Sequence, residues 1–195
     1  MNKVWITLLA LLGAATSISA FEKLEPEYLV RYGSPDAPCQ IVEYVSLSCG
    51  KCMELIEKEL PEVIEKYIDT NEASLIYHPL PADLQTLQMM VCFELLDENE
   101  KPLFLNALGK GLLQTKGKQG CKMMQLAMEG LEKPLPDLDK IEFLEKTQAF
   151  QSAYRFLKQE DVIKIIPTIE LDGVLVEESP TMELLDEYIT KKRMS

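Results

Sequence analysis

Gln40-Ile41-Val42-Glu43-Tyr44-Val45-Ser46-Leu47-Ser48-Cys49-Gly50-Lys51-Cys52 is the stretch from which the rest of this 195-residue chain can be placed. Its first six residues are rich in β-branched and aromatic types, in a nearly continuous run. That pattern predicts a central strand covered on both faces, since a half-exposed strand would alternate. Glu43 is the one carboxylate in the run. From Gly50 onward the period changes: Met53, Leu55, Ile56, Leu60, Val63, Ile64 and Tyr67 recur at helical spacing between charged residues. Pro61 is expected to kink or divide this helix. Ala73 to His78 reads as a second buried strand, closed by Pro79 and Pro81. Strand, helix and strand in that order imply a right-handed parallel crossover.

Cys49 and Cys52 sit where the strand ends and the helix begins. A thiolate at that junction faces unpaired backbone N–H groups and the positive end of the helix dipole, and Lys51 adds a nearby positive charge. Free cysteine, near pKa ~8.5, is only a few per cent thiolate at neutral pH, whereas such CxxC sites span about 3.5 to 7.5. A shift to ~6 corresponds to roughly 3 kcal/mol. Cys52, one helical turn on, can reach back and close an intramolecular disulfide, so Cys49 is the attacking sulfur and Cys52 the resolving one. Two other readings are open. Half a zinc site would need two further ligands, and only the isolated Cys39, His78, Cys92 and Cys121 remain, so no metal and no cofactor is expected. A purely structural Cys49–Cys52 disulfide would contribute little, because so short a loop has little entropy to lose.

Outward from this core, residues 82–161 carry helical patterns near Ala82–Asp97, Pro102–Gln114, Cys121–Leu131 and Ile141–Glu160, with no convincing strand. Gly109, Gly111, Gly117, Gly120, Pro134 and Pro136 punctuate them. Thr168–Leu171, the turn Asp172-Gly173 and Val174–Val176 predict a tight hairpin. A last helix runs from about Pro180 to Lys192, with Ser179 available as its N-cap. Upstream, Phe21 to Ala37 reads as a lead broken by Pro26, Gly33 and Pro35. The first twenty residues combine Lys3, an apolar run from Val4 to Ala15 and small residues up to Ala20. This is the order of a secretory signal, too short for a membrane span. Export places all five cysteines where disulfides persist, and an odd count leaves at least one unpaired, intermolecular or reactive. A formal charge of −12 disfavours nucleic acid and anionic membranes as partners.

The quoted stretch, preceded by Ser34-Pro35-Asp36-Ala37-Pro38, resembles the start of the DsbA-type periplasmic thiol:disulfide oxidoreductases. Ile166-Pro167-Thr168 followed by Ile169-Glu170-Leu171-Asp172-Gly173 resembles that family's proline loop and hairpin. The likeness runs from about Tyr32 to Ile189. It implies an α/β thioredoxin fold (β-α-β, then β-β-α) formed by residues 32–81 and 162–193, with a helical subdomain, 82–161, inserted between the second strand and the cis-proline hairpin. It implies that Cys49 and Cys52 are the redox pair, with Gly50 and Lys51 between them. Pro167 would be a cis proline lying against the sulfurs, preceded by Ile166, and Glu43 a buried acid assisting proton transfer at Cys52. A trans Pro167 opening a strand and a surface Glu43 are the plainer readings.

The resemblance further implies exported cysteine-containing proteins as substrates and a DsbB-type membrane oxidase as a partner. The Gly-Lys dipeptide departs from the Pro-His of the strong oxidant, and Ile166 stands where DsbA-type proteins typically have Val and thioredoxin has Ile. Lys51 favours a dithiol oxidase, while Gly50 and Ile166 favour a reductase or isomerase. A redox-inert binding or chaperone module is the reading of another class. Cys92 and Cys121 are either a second, structural disulfide or two buried thiols. Cys39 is expected to be inert, and His78 structural. Met89, Met90, Met123, Met124 and Met128 fill the core or line a groove for unfolded substrate.

Overall fold

Cys39–Val45 forms the central strand of the computed structural model, β2, and six of its seven side chains are buried, as a strand covered on both faces requires. The structure describes residues 21–115, 119–159, 163, 165–176 and 181–194. The expected signal segment 1–20, Gly117 and Ser179 lie outside them. β2 pairs in parallel with β3 (Ala73–Pro79), in a register that sets Glu43 beside Tyr77. On its other side it pairs antiparallel with β4 (Thr168–Leu171). β5 (Val174–Val176) completes the hairpin, and Asp172 and Gly173 take the positive φ its turn needs. The sheet order is β1-β3-β2-β4-β5.

β1 (Val30–Tyr32) is an element that the sequence pattern did not reveal. Val30 and Tyr32 are buried around a half-buried Arg31, and the strand runs antiparallel to β3. Three residues between Pro26 and Gly33 are too few to establish a period of two. The pairing with β3 supplies what local sequence does not.

The helix after Cys49 is not divided by Pro61. It runs from α1 (Gly50–Glu54) through a π turn (Leu55–Glu59), α2 (Leu60–Val63) and a second π turn (Ile64–Ile68), with helical backbone angles at every junction. Pro61 has no N–H to donate, and its ring would strike a carbonyl of the preceding turn. The extra residue in the turn widens the ladder, so that Leu60 N–H reaches the Leu55 carbonyl.

Between β3 and β4 lie α3 (Leu84–Phe93), α4 (Glu100–Thr115), α5 (Gly120–Gly130), α6 (Ile141–Leu144) and α7 (Gln148–Leu157). The single helix expected over Ile141–Glu160 is thus two. Thr147 takes an extended conformation and its hydroxyl accepts from Phe150 N–H at 3.2 Å, so an N-cap restarts the helix there. α8 (Met182–Arg193) is capped by Thr181, whose Oγ1 accepts from Leu184 N–H. α4 approaches the Cys49 helix closely at Gly109, where a Cβ would lie 2.9 Å from Ile56 Cγ2. Met89, Met90, Met124 and Met128 are buried and Met123 packs against them, so these methionines are core and no groove. Among the described residues no helix is long and apolar enough to cross a membrane.

Candidate active site

The end of β2 and the start of α1 fix the two sulfurs by backbone geometry. After Val45 the chain turns through Ser46-Leu47-Ser48, and Cys49 N–H donates to the Ser46 carbonyl at 3.2 Å. Cys49 is the N-cap of α1: its backbone is extended, its carbonyl receives Met53 N–H at 3.1 Å, and its Sγ accepts from Cys52 N–H at 3.2 Å. A sulfur thus occupies the capping position usually taken by a Ser or Asp oxygen. Cys49 is partly exposed, whereas Cys52 is fully buried beneath it. Burial holds the Cys52 thiol well above the ordinary range, and its contact with Cys49 pushes the same way. A Ser46 backbone hydrogen bond opposes this, and Glu43 adds to it. Gly50 and Lys51 are exposed, and nothing lies within 4 Å of the point where a Gly50 side chain would begin.

The loop into Cys49 is held from below by α3, through residues that the sequence reading passed over. Asp83 is the N-cap of α3: Oδ1 accepts from Thr86 N–H at 2.9 Å. Its Oδ2 accepts from Ser46 Oγ at 2.6 Å and from Thr86 Oγ1 at 2.7 Å. Thr86 Oγ1 in turn accepts from Leu47 N–H at 2.9 Å, and the Ser46 and Ser48 hydroxyls are 2.9 Å apart. One carboxylate therefore caps a helix and anchors the turn that carries Cys49. Asp is a common N-cap residue, so the cap by itself is ordinary. That its second oxygen reaches Ser46 follows only from the tertiary fold.

Glu43 is 5% exposed, and its Oε1 has no hydrogen-bond partner. Burial pushes its carboxyl up to about 8; Tyr77, its neighbour on β3, draws it back in part, and Glu59 raises it further. Glu43 in turn raises the Cys52 thiol, so the two buried acids sense each other.

The β2–β4 register pairs Tyr44 with Thr168, which brings Ile166 and Pro167 to the same end of the sheet as the Cys49 loop. The Ile166–Pro167 peptide is cis, and Thr168 Oγ1 donates to the Ile165 carbonyl at 2.6 Å. Pro167 is buried, Ile166 is half-buried and Ile165 is 77% exposed, which sets an apolar side chain at the rim.

The other cysteines stand apart. All five are free thiols in this structure. Cys92 on α3 is pushed up to about 12 by burial and then by Cys121, which sits on the adjacent α5 and donates to Gln88 Oε1 at 3.4 Å. Cys39 is buried at the start of β2 and pushed up to about 11 by that burial, with Asp172 adding to it. His78 is fully buried and lowered to about 4 by desolvation. Its Nε2 accepts from Leu24 N–H at 3.0 Å, which leaves Nδ1–H to donate to the Pro79 carbonyl at 2.9 Å. It pins the N-terminal lead to β3.

A family model described as Thioredoxin matches residues 25–191. Among solved structures, alpha-DsbA1 of Wolbachia pipientis superposes with a TM-score of 0.65 at 16% identity, covering 86% of this chain and 92% of its own. DsbA of Chlamydia trachomatis gives 0.61 at 19% identity, covering 87% and 94%. Oxidised BdbD of Bacillus subtilis gives 0.56 at 14%, covering 91% and 100%. At these identities the likeness is one of fold: a thioredoxin-type sheet with helices inserted between β3 and β4. A comparison with curated protein sequences returns no match.

Proposed function

The chain belongs to the thioredoxin family, and from that premise we propose that it is an exported thiol–disulfide oxidoreductase that oxidises cysteine-containing proteins through Cys49 and Cys52. The observation that carries this reading is the pairing of a partly exposed Cys49 sulfur, capping α1, with a buried Cys52 one turn behind it.

In the oxidised protein a Cys49–Cys52 bond is attacked at Cys49 Sγ, the exposed sulfur, by a substrate thiolate. Cys52 leaves with the electron pair and takes a proton from the Glu43 carboxyl. The substrate, now joined to Cys49, lies along Gly50 and Lys51 on one side and Ile166 and Pro167 on the other. A second substrate thiolate then attacks the substrate's own sulfur and expels Cys49 as a thiolate, which the Cys52 N–H and the first turn of α1 stabilise. The substrate has lost two electrons and the protein has gained them. A DsbB-type, quinone-linked membrane oxidase would accept them and restore the disulfide. Residues 1–20 would deliver the protein to a periplasm, with residues 82–161 as its inserted helical subdomain. Cys92 and Cys121, on adjacent helices, are the candidates for a second disulfide.

The Gly50-Lys51 dipeptide and Ile166 favour a second reading, in which the same exchange runs as a reductase. The reduction potential against glutathione, measured with Cys39, Cys92 and Cys121 replaced, separates the two. A value near about −120 mV is expected for the oxidase, and one near about −270 mV would instead make the protein a reductase. Absence of exchange, with binding of unfolded protein retained after replacement of both Cys49 and Cys52, would make it a binding module.

A further inference from the structure

A hydroxyl beside the reacting sulfur has its direction set from the interior of the protein. Ser48 precedes Cys49, is exposed, and ends the chain of hydrogen bonds that begins at α3. The polarity of that chain is fixed at its inner end. The Asp83 carboxylate only accepts, so Ser46 Oγ spends its single hydrogen on Asp83 Oδ2, at 2.6 Å. The Ser46 oxygen then has two acceptor positions left. Ser48 N–H takes one at 3.2 Å, and the Ser48 hydroxyl, 2.9 Å away, takes the other. Ser46 is buried, and these three bonds saturate its hydroxyl.

The consequence lies at the surface. Ser48 Oγ gives its hydrogen inward, and its two lone pairs remain unspent, with no partner among the described residues. It is therefore an acceptor, and it could donate outward only by giving up the bond to Ser46. A serine on an open loop would turn either way. The turn that carries it is also held in place, by Cys49 N–H on the Ser46 carbonyl at 3.2 Å and by Leu47 N–H on Thr86 Oγ1 at 2.9 Å. Consecutive Cα atoms lie about 3.8 Å apart, and those of two disulfide-bonded cysteines about 4.4–6.8 Å. A substrate cysteine joined to Cys49 can thus bring the main-chain amides beside its own Cα within hydrogen-bond reach of Ser48.

We propose that Ser48 is a substrate-binding residue whose Oγ accepts a main-chain N–H of the incoming chain, that of its reacting cysteine or of the residue after it. The inference rests on the disulfide-exchange reading above and names what that site recognises. A main-chain amide is the donor that cysteine-containing proteins share whatever their side chains, so an acceptor here suits varied substrates. It also discriminates. A proline after the cysteine has no N–H to offer at that place. A cysteine whose neighbouring amides are already paired in a helix or sheet is disfavoured as well. The contact therefore selects extended, unfolded segments, and it makes and breaks no bond to sulfur.

The test is the initial rate at which excess single-cysteine peptide reduces the oxidised protein, ending as the peptide disulfide. Dithiothreitol, a thiol without amides, is the reference. The unaltered protein, Ser48→Ala and Ser48→Thr are each compared on the plain peptide and on peptides N-methylated at the cysteine or at the next residue. With the unaltered protein, one of the two methylations is expected to slow reduction by roughly three- to tenfold relative to dithiothreitol, the worth of one neutral hydrogen bond. Ser48→Ala should slow the plain peptide by as much and lose nothing further on that methylation. Ser48→Thr, which keeps the oxygen, should behave as the unaltered protein. A methylation loss of the same size in Ser48→Ala, or none in the unaltered protein, would overturn the contact while leaving disulfide exchange intact. An equal slowing of Ser48→Ala with dithiothreitol would also overturn it, as the mark of a merely structural role. If the peptide reduced the unaltered protein no faster than it reduces a linear disulfide peptide, the exchange reading would fall and the proposal with it.

Discussion

Glu43 is the residue whose oddity the sequence displayed most openly, a carboxylate inside an apolar strand. The sequence did not show its partners. Tyr77 becomes its neighbour only through the parallel register of β2 and β3, and Glu59 only through a π turn that no helical period anticipates. The burial has a consequence for stability. In the folded protein the carboxyl titrates at about 8, against an ordinary value of 4.5. The folded state therefore keeps a proton that the unfolded chain releases as pH rises between these values. Stability is greatest, as far as this group is concerned, below about pH 4.5, and it is lost as pH rises through about 8. The difference is on the order of 5 kcal/mol. Urea unfolding of the oxidised protein, in which Cys49 and Cys52 do not titrate, is expected to show this decline from pH 5 to pH 9. Glu43→Gln should flatten it, and an unchanged slope in that variant would assign the decline to other groups.

At the scale of elements, the strand–helix junction was legible because the change of period from two faces to one falls on the cysteines themselves. Pro61 signalled an interruption but not its form: a proline brings a missing N–H and a steric clash, and the fold met both by widening a turn in place of ending the helix. The loop between β2 and α1 was illegible for another reason. Ser46, Ser48, Asp83 and Thr86 are unremarkable separately, and only the packing of α3 beneath the loop joins them. Asp83→Ala removes both the cap of α3 and the anchor of Ser46. The expected loss is about 1–2 kcal/mol for the cap, with a further cost for the buried Ser46 and Thr86 hydroxyls it leaves behind. Because the anchored turn carries Cys49, the variant should also exchange disulfides more slowly at a temperature where it remains folded. Asp83→Asn, which keeps an oxygen at the cap, should lose less of both. Equal thermal unfolding of Asp83→Ala and the unaltered protein would show that the turn stands without α3.

For the molecule as a whole, the order of elements from β2 to α8 was readable because most of them announce themselves locally, down to the Asp172-Gly173 turn, while β1 did not. What stayed hidden is held by contacts distant in sequence. The lead from Phe21 crosses the sheet as a strap: Phe21 packs edge-on against Tyr44 and Phe156, Leu24 N–H meets His78, and Lys23 pairs with Glu170, whose other oxygen receives Tyr44 Oη–H at 2.8 Å. No local pattern signals a segment whose partners lie 54 and 147 residues away. The same long-range closure buries Cys39, Cys52 and Cys92 and leaves Cys49 as the partly exposed sulfur of its pair. Of the remaining cysteines, Cys121 alone shares that partial exposure, and burial raises its thiol. On the proposed function, all attack on substrate therefore falls to a single atom, Cys49 Sγ. The most direct measurement traps that step: the Cys52→Ser protein is mixed with a reduced, unfolded cysteine-containing protein under mild oxidation, and the mixed disulfide is located by peptide mapping. Attachment at Cys49, abolished by Cys49→Ser, is expected. Attachment at Cys39, Cys92 or Cys121 with Cys49 unmodified, or no mixed disulfide at all, would contradict it.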